Sequence, residues 1–203
     1  MKTLKHSILA LITLLLIVAC SKESTNTQVK GFVADATNLN RLAGATVFLK
    51  KQKTSCFSCQ GSTIDMTTAD NNGNYSFDFE HEKGFTYSLT ASHNNYWDIL
   101  PGYFYIDKGE KNTKILTMTP KAYLRVFIKN TSPYDGNDRL GLVVVGGAYS
   151  FYGMTVDSFI VKEALGNQDN PVAWSITKNN VQNSYNANVY CPAFDTTNYT
   201  INY

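Results

Sequence analysis

Cys56 and Cys59, separated by two residues, have a spacing that occurs in redox, metal and structural sites. In a cytosolic protein with alternating strands and helices, this spacing is typical of a thioredoxin-like thiol–disulfide enzyme. A zinc site would need two further Cys or His ligands, and the spacing brings neither Cys191, His81 nor His93 close to the pair. The third alternative is a structural disulfide. The choice among the three depends on the compartment in which the protein resides.

Cys20 supplies evidence on the compartment. It closes an apolar run over residues 8–19, which follows Lys2 and Lys5. A basic start, a short apolar stretch and small residues before a cut site are typical of a secretory signal. The run is too short for a transmembrane helix, which needs about 20 apolar residues. An ordinary signal peptide with an incidental cysteine remains an alternative.

The stretch Ile17-Val18-Ala19-Cys20 resembles a bacterial lipobox, in which the cysteine is acylated and becomes the new N-terminus. The resemblance implies a cleaved signal peptide over residues 1–19, lipidation such as palmitate at Cys20, and a lipid-anchored tether over residues 20–27. Two or more acyl chains hold a protein stably on a membrane. We therefore expect a cell-envelope location, at the outer membrane and facing the periplasm or the exterior, because Ser21 follows the cysteine.

An exported chain meets an oxidising compartment, which favours a Cys56–Cys59 disulfide over zinc binding or redox catalysis. The closed loop is small, so the expected stabilisation is only about 2 kcal/mol. With Cys20 acylated and Cys56 paired with Cys59, Cys191 is the one cysteine of the four without an expected partner. We expect a buried free thiol there, with an interchain bridge as the alternative.

Candidate catalytic groups are few. His81 and His93 invite an acid–base hypothesis, but each follows a strand candidate beside polar loop residues. Neither a Gly-x-Ser-x-Gly elbow nor a His-Glu-x-x-His helix accompanies them. The segment Asp70–Asn74 has oxygen side chains at alternate positions, but it lacks the bidentate glutamate and the loop length of an EF-hand. The sequence thus predicts a hairpin turn there, and a protein with no enzymatic activity, metal or cofactor.

Aromatic side chains give the best candidates for a binding surface. Tyr96 and Trp97 follow Asn94-Asn95 in an expected loop, where exposed rings can stack on sugar faces or anchor a protein partner. For the stretch 103–105 we expect core filling instead, with residues 98–102 as a turn-like connector. The segment Tyr149–Gly153 is either a second aromatic contact loop or a strand end.

The charge balance excludes one class of partner. The full chain has 18 basic and 16 acidic side chains, and the loss of Lys2 and Lys5 with the signal leaves 16 against 16. A nucleic-acid partner requires a basic patch or stripe. We therefore expect no nucleic-acid binding.

The elements that position these residues are short strands. Period-two alternation recurs along the chain, and helical periodicity is nearly absent. Alternating segments with one apolar face begin near Val29, Ala45, Ile64, Tyr75, Phe85 and Leu116. Short strands separated by turn residues indicate an all-β fold built from antiparallel β-sandwiches.

Three segments within this first region carry a family resemblance. They are Val29–Asp35, Leu42–Val47 and Thr68–Phe77, in that order. Together they resemble the carboxypeptidase regulatory-like domain, a transthyretin-type β-sandwich, over about residues 27–120. Arg41-Leu42-Ala43 replaces the usual proline before the Gly-Ala pair, and the Cys56–Cys59 stretch also departs from the pattern. The resemblance implies an accessory or binding role, since this domain is the non-catalytic neighbour in that family.

Pro120 ends this region and a second alternation begins at Lys121. Strand candidates follow at residues 123–129, 140–145, 156–161, 172–176, 187–190 and 200–203. The continuous apolar run over 140–145 predicts a strand covered on both faces or a sandwich-core strand. We therefore expect two small β-sandwiches in tandem, over residues 28–120 and 121–203, the second of unknown family. A single larger sandwich is the alternative.

The expected function is a membrane-anchored, non-catalytic binding or structural module for an envelope protein or glycan. A glycan-handling accessory protein that uses Tyr96 and Trp97 is one alternative. A thiol–disulfide enzyme that uses Cys56 and Cys59 is the other.

Overall fold

The computed structural model describes residues 25–55 and 61–203. These residues form fourteen β-strands and no helix. The first seven strands form unit 1: β1 (Asn26–Asp35), β2 (Thr46–Lys53), β3 (Ser62–Thr68), β4 (Asn74–Glu80), β5 (Phe85–Ser92), β6 (Ile99–Ile106) and β7 (Lys111–Met118). The last seven form unit 2: β8 (Lys121–Lys129), β9 (Arg139–Val144), β10 (Gly147–Tyr152), β11 (Asp157–Leu165), β12 (Gln168–Lys178), β13 (Val181–Cys191) and β14 (Thr196–Asn202).

Both units have the same sheet topology. Unit 1 has a three-stranded sheet in the order β4-β1-β7 and a four-stranded sheet in the order β3-β2-β5-β6. Unit 2 repeats these orders seven strands later, as β11-β8-β14 and β10-β9-β12-β13. The prediction of an all-β fold with two tandem sandwiches is confirmed. The sheets are not purely antiparallel, because β1 pairs with β7, and β8 with β14, in parallel.

Each unit has its own hydrophobic core. In unit 1 the inward positions of β1, β2 and β5 supply fully buried residues such as Val33, Leu49 and Leu89. In unit 2 the central strand β8 supplies Leu124, Val126 and Ile128 at every second position. This alternation is the one that a two-residue side-chain period dictates, and each such aliphatic side chain contributes about 1.5–3 kcal/mol by burial.

The turn expected at Asp70–Asn74 is present between β3 and β4. The Asp70 carboxylate accepts hydrogen bonds from the backbone N–H groups of Asn72 and Asn74, at 2.8 Å each. Gly73 has a φ of 72°, which a residue with a side chain rarely adopts. These hydrogen bonds, of which those from Asn74 have the largest effect, lower the pKa of Asp70.

Several element boundaries differ from the sequence-based expectations. Strand β1 already begins at Asn26, and Thr27 is fully buried, so these two residues belong to the fold rather than to the tether. The connector expected over residues 98–102 is largely strand, because β6 begins at Ile99. The segment 147–152 is the edge strand β10. Strand β9 is covered on one face only, since Val143 is 57% exposed.

Candidate binding surfaces

Tyr96 lies at the junction between the two units. Its side chain is only 8% exposed, and its hydroxyl donates a hydrogen bond to Asp35 Oδ2 at 3.0 Å. Its ring makes an edge contact with Phe194 of unit 2, with 5.4 Å between the ring centroids. Burial, followed by the hydrogen bond to Asp35 and the charge of Asp35, raises the pKa of Tyr96 to about 12.

Trp97 is half-buried at the same junction. Its indole Nε1 donates to the Ala164 carbonyl of unit 2 at 3.4 Å, and the Lys121 ammonium lies 5.1 Å from the ring centroid. Its backbone N–H donates to the Thr119 carbonyl at 2.9 Å. The two predicted ligand-contact residues are therefore engaged in contacts within the chain. Their role in ligand binding stays a prediction.

Further contacts hold this junction. The backbone N–H of Lys121 donates to the Asn95 carbonyl at 2.8 Å. Across the units, Asn167 Nδ2 donates to Thr37 Oγ1 at 3.1 Å. The backbone N–H of Gly166 donates to the carbonyl of Pro120, in the segment that joins the units, at 2.8 Å. These hydrogen bonds and the ring contact of Tyr96 with Phe194 hold unit 1 against unit 2 at this point.

The sequence-predicted cysteine sites have different outcomes. Cys20, Cys56 and Cys59 lie outside the described residues, so lipidation and the disulfide remain predictions. Cys191 is fully buried in β13, and its thiol donates to the Val189 carbonyl at 3.6 Å. Burial raises the pKa of the Cys191 thiol, which disfavours the reactive thiolate.

The two histidines do not come together. His81 Nδ1 lies 3.2 Å from Thr27 Oγ1 at the start of β1. The His93 ring contacts Tyr96, whose hydroxyl binds Asp35 at the end of β1. Asp35 is eight positions beyond Thr27 along β1, about 26 Å at 3.3 Å per residue. In residues 25–55 and 61–203, no group of three or more Cys, His, Asp or Glu side chains is arranged to hold a metal ion.

An open groove lies at the other end of unit 2, and we call it the distal groove. Its floor is formed by Trp174, Ile176 and Lys178 of β12. Its walls are Val181, Asn183 and Tyr185 of β13 on one side, and Asn202 and Tyr203 on the other. The groove encloses about 440 Å³. It is remote from the junction because Lys178 Nζ donates to Asn130 Oδ1, just beyond the far end of β8.

A two-residue turn builds this groove. Asn179 and Asn180 join β12 to β13, and both have positive φ, at 48° and 59°. Such a turn matches the twist of the flanking strands and fixes their register. Trp174 is thereby placed opposite Tyr185. The two rings stack with 5.6 Å between centroids and an interplanar angle of 19°, and Tyr185 is 45% exposed.

The polar groups of the distal groove differ in their hydrogen bonding within the chain. Tyr203 is 7% exposed, and its hydroxyl has no hydrogen-bond partner within the described part of the chain. Burial, and then the charge of Asp138, raises the pKa of Tyr203. The Lys178 ammonium lies 3.8 Å from Asp138 Oδ2 and also donates to the Ser132 carbonyl. Its charge is therefore compensated inside the protein.

The buried carboxylate of Asp138 stabilises this end of unit 2 by hydrogen bonding. It is fully buried and accepts hydrogen bonds from Asn130 Nδ2 and from the Tyr134 N–H, both at 2.9 Å. Burial by itself raises the pKa of Asp138. The hydrogen bonds and the charge of Lys178 outweigh it and hold the pKa below its ordinary value.

Sequence reasoning missed the distal groove. Trp174 falls inside an expected strand, and Tyr185 lies in no expected strand. The signal that would have found the pair is Asn179-Asn180, because Asn tolerates positive φ in a two-residue hairpin. A hairpin centred there places Lys178 opposite Val181, and the same register places Trp174 opposite Tyr185.

Comparisons with known proteins give no family. No protein-family model matches the chain, and no curated protein matches it. Among solved structures, the Bacillus anthracis TIE protein shares 15% identity, with a TM-score of 0.39, over 88% of this chain and 34% of that one. This chain thus spans about a third of the length of that protein.

Two pilin structures are also similar. The minor pilin GBS52 of Streptococcus agalactiae shares 12% identity, with a TM-score of 0.41, over 87% of this chain and 94% of that one. The shaft pilin SpaA of Lactobacillus rhamnosus GG shares 6% identity, with a TM-score of 0.32, over 88% of this chain and 97% of that one. All three TM-scores are below 0.5.

Proposed function

We propose that this chain is a lipid-anchored, non-catalytic binding or structural module of the cell envelope, which contacts a protein or a glycan. The lipobox-like stretch ending at Cys20 supports the anchor. The two-sheet architecture of unit 1 supports a carboxypeptidase regulatory-like domain. Within the described residues, no helix is long and apolar enough to cross a bilayer.

One observation carries this proposal. The chain enters unit 1 at Asn26, at the start of β1, whereas the junction with unit 2 lies at Asp35, at the end of β1. These two points are about 30 Å apart along the strand. An anchor on the tether would therefore hold unit 1 at its far end and leave unit 2 presented away from the membrane.

The arrangement of titratable groups supports a non-catalytic role. General acid–base catalysis needs groups within hydrogen-bond reach of one substrate. His81 and His93 lie near opposite ends of β1, and the Cys191 thiol is buried. Exposed aromatic side chains, such as Tyr103 and Tyr185, supply surface suited to binding.

The anchor is tested by metabolic labelling with an alkyne analogue of palmitate. We expect the wild-type chain to take up the label and to fractionate with membranes. A Cys20→Ser variant should be unlabelled and should leave the membrane fraction. Ser21→Ala is the matched control, because it changes the neighbouring residue and keeps the cysteine.

Two results would contradict the anchor. One is label in the Cys20→Ser variant at the wild-type level. The other is a wild-type chain that is secreted without label. Protease treatment of intact cells then tells whether the labelled protein faces the exterior or the periplasm.

A further inference from the structure

We propose that the distal groove of unit 2 is a binding site for a neutral oligosaccharide. This inference rests on the proposed function and names its ligand class and its site. It also moves the glycan contact away from Tyr96 and Trp97, where the sequence placed it, to the pair Trp174 and Tyr185.

The ring pair provides the apolar part of the site. Trp174 and Tyr185 stack at 19°, so Trp174 backs one face of the Tyr185 ring. Tyr185 is 45% exposed and β13 is the edge strand of its sheet, so the outer face of the ring is a flat aromatic surface. The C–H face of a pyranose is flat and weakly polar, and it packs on such a surface as other apolar groups do. A volume of about 440 Å³ lies within the usual range for small-molecule sites.

The polar part of the site suits hydroxyl groups. Asn183 and Asn202 are exposed on opposite walls, and each side-chain amide both donates and accepts hydrogen bonds. The buried Tyr203 hydroxyl lacks a partner within the described residues, and an unpaired buried hydroxyl is costly. A sugar hydroxyl is both donor and acceptor, so it can pair with the exposed amides of Asn183 and Asn202.

The charge of the groove favours a neutral ligand. Lys178 has the one charged side chain among the described residues that line it. Its ammonium is already compensated by Asp138 and hydrogen-bonded to Asn130 and the Ser132 carbonyl. An acidic sugar would find no free cationic side chain among the described residues that line the groove.

The position of the groove fits capture of a ligand outside the membrane. Lys178 and Asn202 lie at the end of β8, and β8 begins at the junction. Strand β1 leads from the tether to the junction, and β8 leads from the junction to the groove. The groove is therefore separated from the tether by both strands. An anchored chain would present it at the end most distant from the anchor.

A single-tryptophan titration tests the inference. The chain has two tryptophans, so Trp97→Phe leaves Trp174 as the one reporter. The probes are neutral oligomers of glucose, mannose, xylose and N-acetylglucosamine, with polygalacturonate as an anionic comparison and an uncharged ten-residue peptide as a test of strand addition to β13. Isothermal titration of the wild-type protein provides the affinity without the reporter substitution.

We expect a saturable change in Trp174 emission with at least one neutral oligomer. Tyr185→Ala should weaken binding about tenfold or more, whereas Tyr185→Phe should retain it within about twofold. Tyr190→Ala is the matched control, because Tyr190 is a similarly exposed tyrosine on the opposite face of β13. It should bind as wild type does.

The inference is overturned if no neutral oligomer binds, if only polygalacturonate or the peptide binds, or if Tyr190→Ala loses as much affinity as Tyr185→Ala. Such a failure is distinguishable from failure of the proposed function. Palmitate labelling and membrane fractionation depend on Cys20 and not on the groove.

Discussion

The two units have the same strand order, but the connection between the fifth and sixth strands differs between them. In unit 1 the fifth and sixth strands are joined by residues 93–98, and this loop carries Tyr96 and Trp97 into the junction. In unit 2 the equivalent connection is the two-residue turn Asn179-Asn180, at the end of the distal groove. One position in the fold is thus a structural joint in unit 1 and a free, aromatic-lined end in unit 2.

The strands that flank this connection explain the difference. In unit 1, β5 and β6 have eight residues each, with a register shift between Leu89 and Ala91. In unit 2, β12 and β13 have eleven residues each and pair without a shift. The longer, regular hairpin extends beyond its cover, so residues 181–186 are exposed on both faces. Length and regularity of this hairpin therefore explain why the connection borders a groove in unit 2 and not in unit 1.

Truncating one aromatic residue in each connection gives the largest expected contrast. Trp97→Ala removes a half-buried ring and its hydrogen bond to Ala164, and should cost about 2–3 kcal/mol in the free energy of unfolding. Tyr185→Ala removes an exposed ring and should cost less than about 1 kcal/mol. Urea unfolding of both variants measures the difference. Equal losses of unfolding free energy in the two variants would contradict the distinction between a structural joint in unit 1 and a free end in unit 2.

The free energy of unfolding should also depend on pH through Asp138 of unit 2, an effect smaller than that of Trp97→Ala. The pKa of Asp138 is held below that of the unfolded chain, about 3.9. Ionised Asp138 therefore stabilises the fold above that pH, and the contribution is lost as the pH falls through the folded value.

An Asp138→Asn variant checks this dependence by urea unfolding at pH 7 and pH 3. We expect it to be less stable than wild type at pH 7 and to lose less stability than wild type on acidification. Asp157→Asn is the control, because its ion pair with Lys129 is exposed and should matter little. A wild-type loss on acidification no larger than that of Asp138→Asn would contradict the role of Asp138.

The fold was accessible from the sequence because its main signal is local. Alternation such as Tyr75 and Phe77 around Ser76 reports directly which face of a strand is buried. The parallel pairing of β1 with β7 was not accessible in this way. It joins residues about 80 positions apart, such as Gln28 and Lys111, and no local pattern encodes that pairing.

The candidate sites were harder to predict for the same reason. Tyr96 follows two asparagines and looks like a loop residue, but Asn95 adopts a φ of 63° and the Tyr96 hydroxyl binds Asp35, 61 positions away. When a residue is buried by a partner far along the chain, its neighbours in the sequence do not indicate that burial. The pair Trp174 and Tyr185 is different, because the turn at Asn179-Asn180 fixes it locally.

The junction is tested most directly by a double-mutant cycle between Tyr96 of unit 1 and Phe194 of unit 2. Tyr96→Ala, Phe194→Ala and the double variant are compared with wild type by urea unfolding. The edge contact of their rings predicts a coupling energy of about 0.5–1.5 kcal/mol. A coupling energy indistinguishable from zero would contradict the claim that this loop joins the two units.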